Sequence, residues 1–130
     1  MKVITKIAHG VLDYATVAMF ALAPSLYSFT GTAALISYGL AAIHLTMTLL
    51  TDMPLGVLKI IPMKLHSIVE VLVGPVLMIG ALTLPNLVAG GRGFFVVAGA
   101  LIFVVWLLSD YSPATKFDDR LRKSSNSADP

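Results

Sequence analysis

The sequence predicts an all-α protein embedded in a membrane: a four-helix bundle built from two duplicated transmembrane hairpins, with both termini cytoplasmic. Three observations lead there. Hydrophobic residues make up 57% of the 130 residues and charged residues only 12%, with a mean hydropathy of +0.87, whereas a soluble domain carries about 25% charged residues. Four apolar stretches approach the roughly 20 residues that a spanning helix needs. Finally, a histidine followed one helical turn later by a carboxylate occurs twice, 57 residues apart, as His9 with Asp13 and His66 with Glu70.

The apolar stretches run from Ile7 to Tyr27, Thr32 to Thr51, Leu65 to Leu84 and Phe94 to Ser109. In the last, Gly90, Gly91 and Gly93 could belong to the preceding loop or to the helix. The first has some marks of a cleavable signal peptide: two lysines, an apolar run and Ala21-Leu22-Ala23. Asp13 interrupts that run, and Pro24 would follow the cut, so the first helix is expected to stay. Together the stretches define a transmembrane domain over residues 1–111, followed by a polar tail, 112–130, with too little apolar surface to fold alone.

Orientation follows from the cations, because Lys and Arg concentrate in cytoplasmic segments. Lys2 and Lys6 precede the first helix, Lys59 and Lys64 separate the second from the third, and Lys116, Arg120, Arg122 and Lys123 follow the fourth. Only Arg92 falls on the other side. The expected location is a bacterial inner (plasma) membrane, crossed several times. Four short helices enclose little volume, which leaves room for a homo-oligomer or a membrane-protein partner beside the lipid bilayer.

The repeat extends beyond the histidines. Leu49-Leu50-Thr51-Asp52 closes the second helix and Leu107-Leu108-Ser109-Asp110 closes the fourth, a shift of 58 residues. The expected units are therefore about 5–57 and 62–113. Each crosses twice, so the copies would run in the same direction, related by an axis along the membrane normal. One divergence matters: His44 on the second helix corresponds to Ile102 on the fourth.

The stretch LDYATVAMFALAPSLYSFTG, Leu12 to Gly31, with Ala23-Pro24-Ser25 near the end of the first helix, resembles the SPW-repeat family of small bacterial membrane proteins. In that family two-helix units carry a Ser-Pro-Trp motif at this place. The resemblance implies a four-helix membrane protein and no particular activity.

The polar residues carry what chemistry the sequence offers. At 1.5 Å per residue, Asp13 lies about 10 Å beyond Lys6, Glu70 about 9 Å beyond Lys64, and His44 about 12 Å before Asp52, so all three should sit at similar depth. An ionisable group at mid-bilayer costs roughly 2.5–3.5 kcal/mol on insertion scales, so these seams are expected to face inward and converge. Four readings compete. Each histidine could pair with the carboxylate one turn along and only hold the helices together. The cluster His9, Asp13, His44, His66 and Glu70, with Asp52 and Asp110 at its edge, could bind a transition metal, since imidazole nitrogen and carboxylate oxygen suit zinc, iron or manganese. His44 with His9 or His66 could hold haem b. Intramembrane Asp, Glu and His could relay protons or ions, although the outer half offers little that is ionisable.

Other classes are excluded or unsupported. No cysteine is present, which removes disulfides, iron-sulfur clusters and thiol catalysis. The net charge of +2 gives no case for nucleic-acid binding. Neither a phosphate loop, nor Rossmann glycines, nor a serine nucleophile elbow occurs, so soluble-enzyme chemistry is unsupported. Gly39, Gly74, Gly80 and Gly99 are expected to permit close helix packing, Pro24 and Pro75 to kink or end helices, and Trp106 to anchor at an interface. The six methionines read as core filling, and Pro54 to Pro62 as a rigid loop or surface segment.

Overall fold

A computed structural model of the chain describes residues 2–112. The expectation for the polar tail therefore lies, apart from Ser112, outside the described residues. The architecture is all-helical: α1 Lys6–Leu26, α2 Gly31–Leu50, α3 Met63–Thr83 and α4 Arg92–Leu108, with a 3-10 turn at Pro85–Val88. Each expected boundary falls within two residues of the observed one. α1, α2 and α3 are long and apolar enough to cross a membrane, while α4, at 17 residues, is a shorter apolar helix. The 3-10 turn, with Val88 buried, packs on α2, α3 and α4.

Local chemistry sets the ends. Thr5 caps α1, its side chain accepting from the Ala8 amide at 3.2 Å and satisfying one of the free first-turn N–H groups. Pro62 precedes α3, where its fixed φ suits a helix start. Gly90, at φ +82°, makes the turn into α4, which leaves Arg92 and Gly93 inside the helix. Pro24 and Pro75 lie inside α1 and α3 and end neither.

The closest backbone packing occurs within each hairpin, α1 on α2 and α3 on α4. In the second hairpin, Gly74 and Gly99 face each other. A Cβ on Gly99 would lie 2.6 Å from the Gly74 carbonyl, and one on Gly74 3.0 Å from the Gly99 carbonyl. Gly39 and Gly80 play no such part, since a Cβ on either would meet nothing within 4 Å; the sequence expectation for that pair is corrected.

Two short extended contacts join the hairpins at one end of the bundle. The Val3 and Ile4 amides donate to the Leu108 carbonyl, and Asp110 N–H donates to the Ile4 carbonyl, each at 3.0 Å. Likewise the Ile60 and Ile61 amides donate to the Leu50 carbonyl at 2.9 and 2.8 Å, and Asp52 N–H donates to the Ile61 carbonyl at 2.8 Å. Each residue of the second set sits 57 or 58 positions from its counterpart in the first. Tyr14 ties the loop between α2 and α3 to α1, its hydroxyl donating to the Leu55 carbonyl at 3.0 Å.

The opposite half of the bundle holds the apolar core, with Phe20, Phe29 and Phe95 at its centre beside Ala23, Ala33 and Ala98. The outer surface is apolar too. Ile7, Leu22, Leu35, Leu72, Val76 and Leu101 are all more than half exposed, and exposed apolar surface on this scale marks a contact with lipid or with another protein.

Candidate metal centre

The polar seams of α1, α2 and α3 converge between the hairpins. His9 and Asp13 share one face of α1, and His66 and Glu70 one face of α3, because residues four apart stack on a helix. His44 enters from α2. All are sequestered: His9 is 0%, His66 1%, Asp13 2% and Glu70 4% exposed, with His44 at 15%.

The contacts run across the hairpins as well as along them. His9 Nε2 is 3.4 Å from Asp13 Oδ1 and 3.6 Å from Glu70 Oε2. His66 Nε2 is 3.4 Å from Asp13 Oδ2 and 3.7 Å from Glu70 Oε1. His44 Nε2 stands 3.5 Å from Asp13 Oδ1. An N–H···O hydrogen bond closes to about 2.7–3.2 Å, so none of these is one. Accordingly His9 Nε2, His44 Nε2, His66 Nε2 and Asp13 Oδ2 are buried with no hydrogen-bond partner among the described residues.

The separations have another meaning. Metal bonds of about 2.0–2.2 Å to nitrogen and oxygen set tetrahedral neighbours about 3.3–3.6 Å apart. Ligating atoms of His9, Asp13, His66 and Glu70 all lie within 4.8 Å of one another and could hold a metal ion.

The hydrogen-bond network fixes which imidazole nitrogen faces inward. Ser109 Oγ donates its one hydrogen to the Val105 carbonyl at 2.6 Å, and the same oxygen lies 2.8 Å from His9 Nδ1. The hydroxyl hydrogen being committed, His9 Nδ1 must carry a proton and donate it. Thr51 repeats this for His66: its hydroxyl donates to the Met47 carbonyl at 2.6 Å and accepts from His66 Nδ1 at 2.8 Å. Both rings, when neutral, therefore turn an Nε2 lone pair toward two carboxylates. Lone pairs facing anions repel; a cation between them removes the conflict. Metal-binding histidines ordinarily donate the other ring N–H to an outer acceptor, a place that the two hydroxyls fill here.

Tyr111 closes the site from the C-terminal side. Its hydroxyl donates to Glu70 Oε2, its ring packs edge-on against His9 with centroids 5.3 Å apart, and Lys2 Nζ sits 5.5 Å above it. Burial, then the neighbouring Glu70 carboxylate, raise the Tyr111 phenol well above its usual range, which keeps it a hydrogen-bond donor. Asp52 is exposed, and Asp110 accepts from the Ser112 amide at 2.9 Å. Hydrogen bonds from Ser112, with Lys6 and Lys2 nearby, hold the Asp110 carboxyl below its usual range. Neither acid belongs to the group that could hold an ion.

Three contributors were not singled out from sequence as site residues: Thr51, Ser109 and Tyr111. The recurring Leu-Leu-Thr/Ser-Asp endings draw attention to their acids, yet it is the hydroxyl before each acid that reaches a histidine. The geometry also bears on haem. A porphyrin between two histidines needs a flat, clear slot, and here the Asp13 carboxylate lies between the His9 and His66 imidazoles and beside that of His44. Beyond the cluster, the aromatic core around Phe20 and Phe95 fills the bundle, so no chain of ionisable groups continues across it among the described residues. Trp106 stacks on Phe103 and donates from Nε1 to Ser67 Oγ at 3.0 Å, outside the cluster. Comparisons with protein-family models, with curated proteins and with solved structures yield no match to this chain.

Proposed function

We propose that this is a small multi-pass protein of the bacterial inner membrane whose cytoplasmic half binds one divalent transition-metal ion between two hairpins. The single observation carrying this reading is the set of His and carboxylate contacts at 3.4–3.7 Å: too long for hydrogen bonds, and the right edge for a coordination shell. Charge supports it. Two carboxylates and neutral imidazoles sum to minus two, which a divalent cation cancels, and neutrality is what a low-dielectric site requires. The mixed nitrogen and oxygen donors, without sulfur, suit zinc, manganese or ferrous iron.

The two hairpins are read as copies of one ancestral unit. Supporting this are the paired bonds at both extended contacts and the matched hydroxyl–histidine pairs, Ser109 with His9 and Thr51 with His66. A single event would have produced a shared site at the interface of the copies. The cation distribution supports cytoplasmic termini.

The test is elemental analysis of protein purified in detergent without chelator, with back-titration of the stripped protein by Zn(II), Mn(II) or Fe(II). About one equivalent of one metal, lost in the double variant His9→Ala, His66→Ala, is expected. A folded, metal-free protein that takes up none of the three overturns the reading and leaves a cluster that only holds the hairpins together.

A further inference from the structure

Two clefts lead to the cluster, one between α1 and α4 and one between α2 and α3. They occupy matching places. Leu12, Thr16 and Val105 line the first where Val69, Val73 and Met47 line the second, with Asp13 on the first and Glu70 on both. Their sizes differ: about 200 Å³ for the first and about 30 Å³ for the second. The donors differ as well. On the α2 side His44 brings Nε2 to 3.5 Å from Asp13 Oδ1. Both clefts reach His44 and Ile102, but α4 itself carries Ile102 at the position of His44 and so brings no donor of its own to the α1–α4 cleft.

We propose that the α1–α4 cleft binds an external ligand of the metal: a compact apolar molecule with one neutral oxygen donor, such as an alcohol, phenol or ketone, entering from the hydrocarbon phase. This rests on the metal reading above. The wall is apolar, formed by Leu12, Met19, Leu101, Ile102 and Val105, while Asp13, Glu70 and the far-side His44 line the cluster end. Thr16 is its one neutral hydroxyl among the described residues, and that hydrogen is already given to the Leu12 carbonyl at 2.9 Å. Leu101 and Leu12 at the mouth are exposed on the apolar surface, so the route in is through lipid rather than water. The volume is slightly more than the roughly 150 Å³ of an apolar cavity that admits benzene, which sets the ligand at one ring or a short acyl end. Its donor should be neutral, because a third anion beside two carboxylates would leave net charge in a dry site.

The experiment uses full-length protein in detergent, loaded with Co(II), and the probe 4-fluorophenol followed by fluorine NMR, with Zn(II)-loaded protein as the diamagnetic control. Saturable paramagnetic broadening with cobalt and none with zinc is expected. Ile102→His supplies the missing imidazole and Thr16→Leu narrows the cleft; each should retain cobalt and weaken the probe roughly tenfold or more, the scale of a lost pocket contact. Failure of the wild type to take up cobalt overturns the metal reading and this inference with it. Cobalt uptake without broadening overturns this inference alone, as does equal broadening in the variants. If Ile102→His binds no cobalt, Thr16→Leu decides.

Discussion

Thr51 and Ser109 show how much of the site depends on a single hydrogen atom. Each hydroxyl gives its proton to a carbonyl one turn back and thereby compels a histidine to donate from Nδ1. Thr51→Ala or Ser109→Ala should lower metal affinity about 10–100-fold, the usual effect of losing an outer partner, while Thr51→Ser should stay near wild type; competition with a chromophoric chelator measures this. Proton competition has a definite sign. The inward Nε2 atoms ligate only when unprotonated, so affinity should fall as pH is lowered, with protons taken up as metal leaves; metal occupancy across a pH series checks it. His9, Asp13, His66 and Glu70 were legible because a His and an acid four apart within an apolar run have few other uses, and His44 because it is a lone ionisable group in such a run. The hydroxyls were not, since Ser or Thr at a helix end commonly bonds back to its own helix. Only the pairing of residues 15 and 100 positions apart reveals the second role.

Among the elements, helix positions followed from apolar run length, with Pro and Gly marking the breaks, a signal intrinsic to each segment. Which glycines touch is a property of pairs. Gly74 and Gly99 meet across α3 and α4, whereas Gly39 and Gly80 face open space, and nothing local distinguishes the four. Gly99→Ala should destabilise by about 1–3 kcal/mol through forced separation of the two backbones. Gly39→Ala should instead stabilise by about 0.5–1 kcal/mol, because Ala restricts the chain without a clash. Thermal unfolding in detergent distinguishes these opposite signs.

For the molecule as a whole, an apolar outer belt surrounds an interior that is polar in one half, around the histidines, and apolar in the other. Reporter fusions should place the N-terminus and the loop between α2 and α3 on the cytoplasmic side, and the loop containing Gly90 on the other. Because the ion would join both hairpins, stripping it should lower the melting temperature; an ion held at 100 times its Kd contributes about 2.7 kcal/mol. The double variant His9→Ala, His66→Ala should melt at the same temperature with and without chelator.

The paired extended contacts carry a consequence for connectivity. The segment entering α1 lies along the segment leaving α4 much as the segment entering α3 lies along the one leaving α2, yet only the second pair is joined by a loop. The bundle is thus a closed cycle of four helices cut at one of two equivalent seams. Linking residue 112 to residue 2 and opening the chain near Gly56 should move the cut to the other seam, giving a circular permutant with α3 first that assembles the same centre and retains its metal.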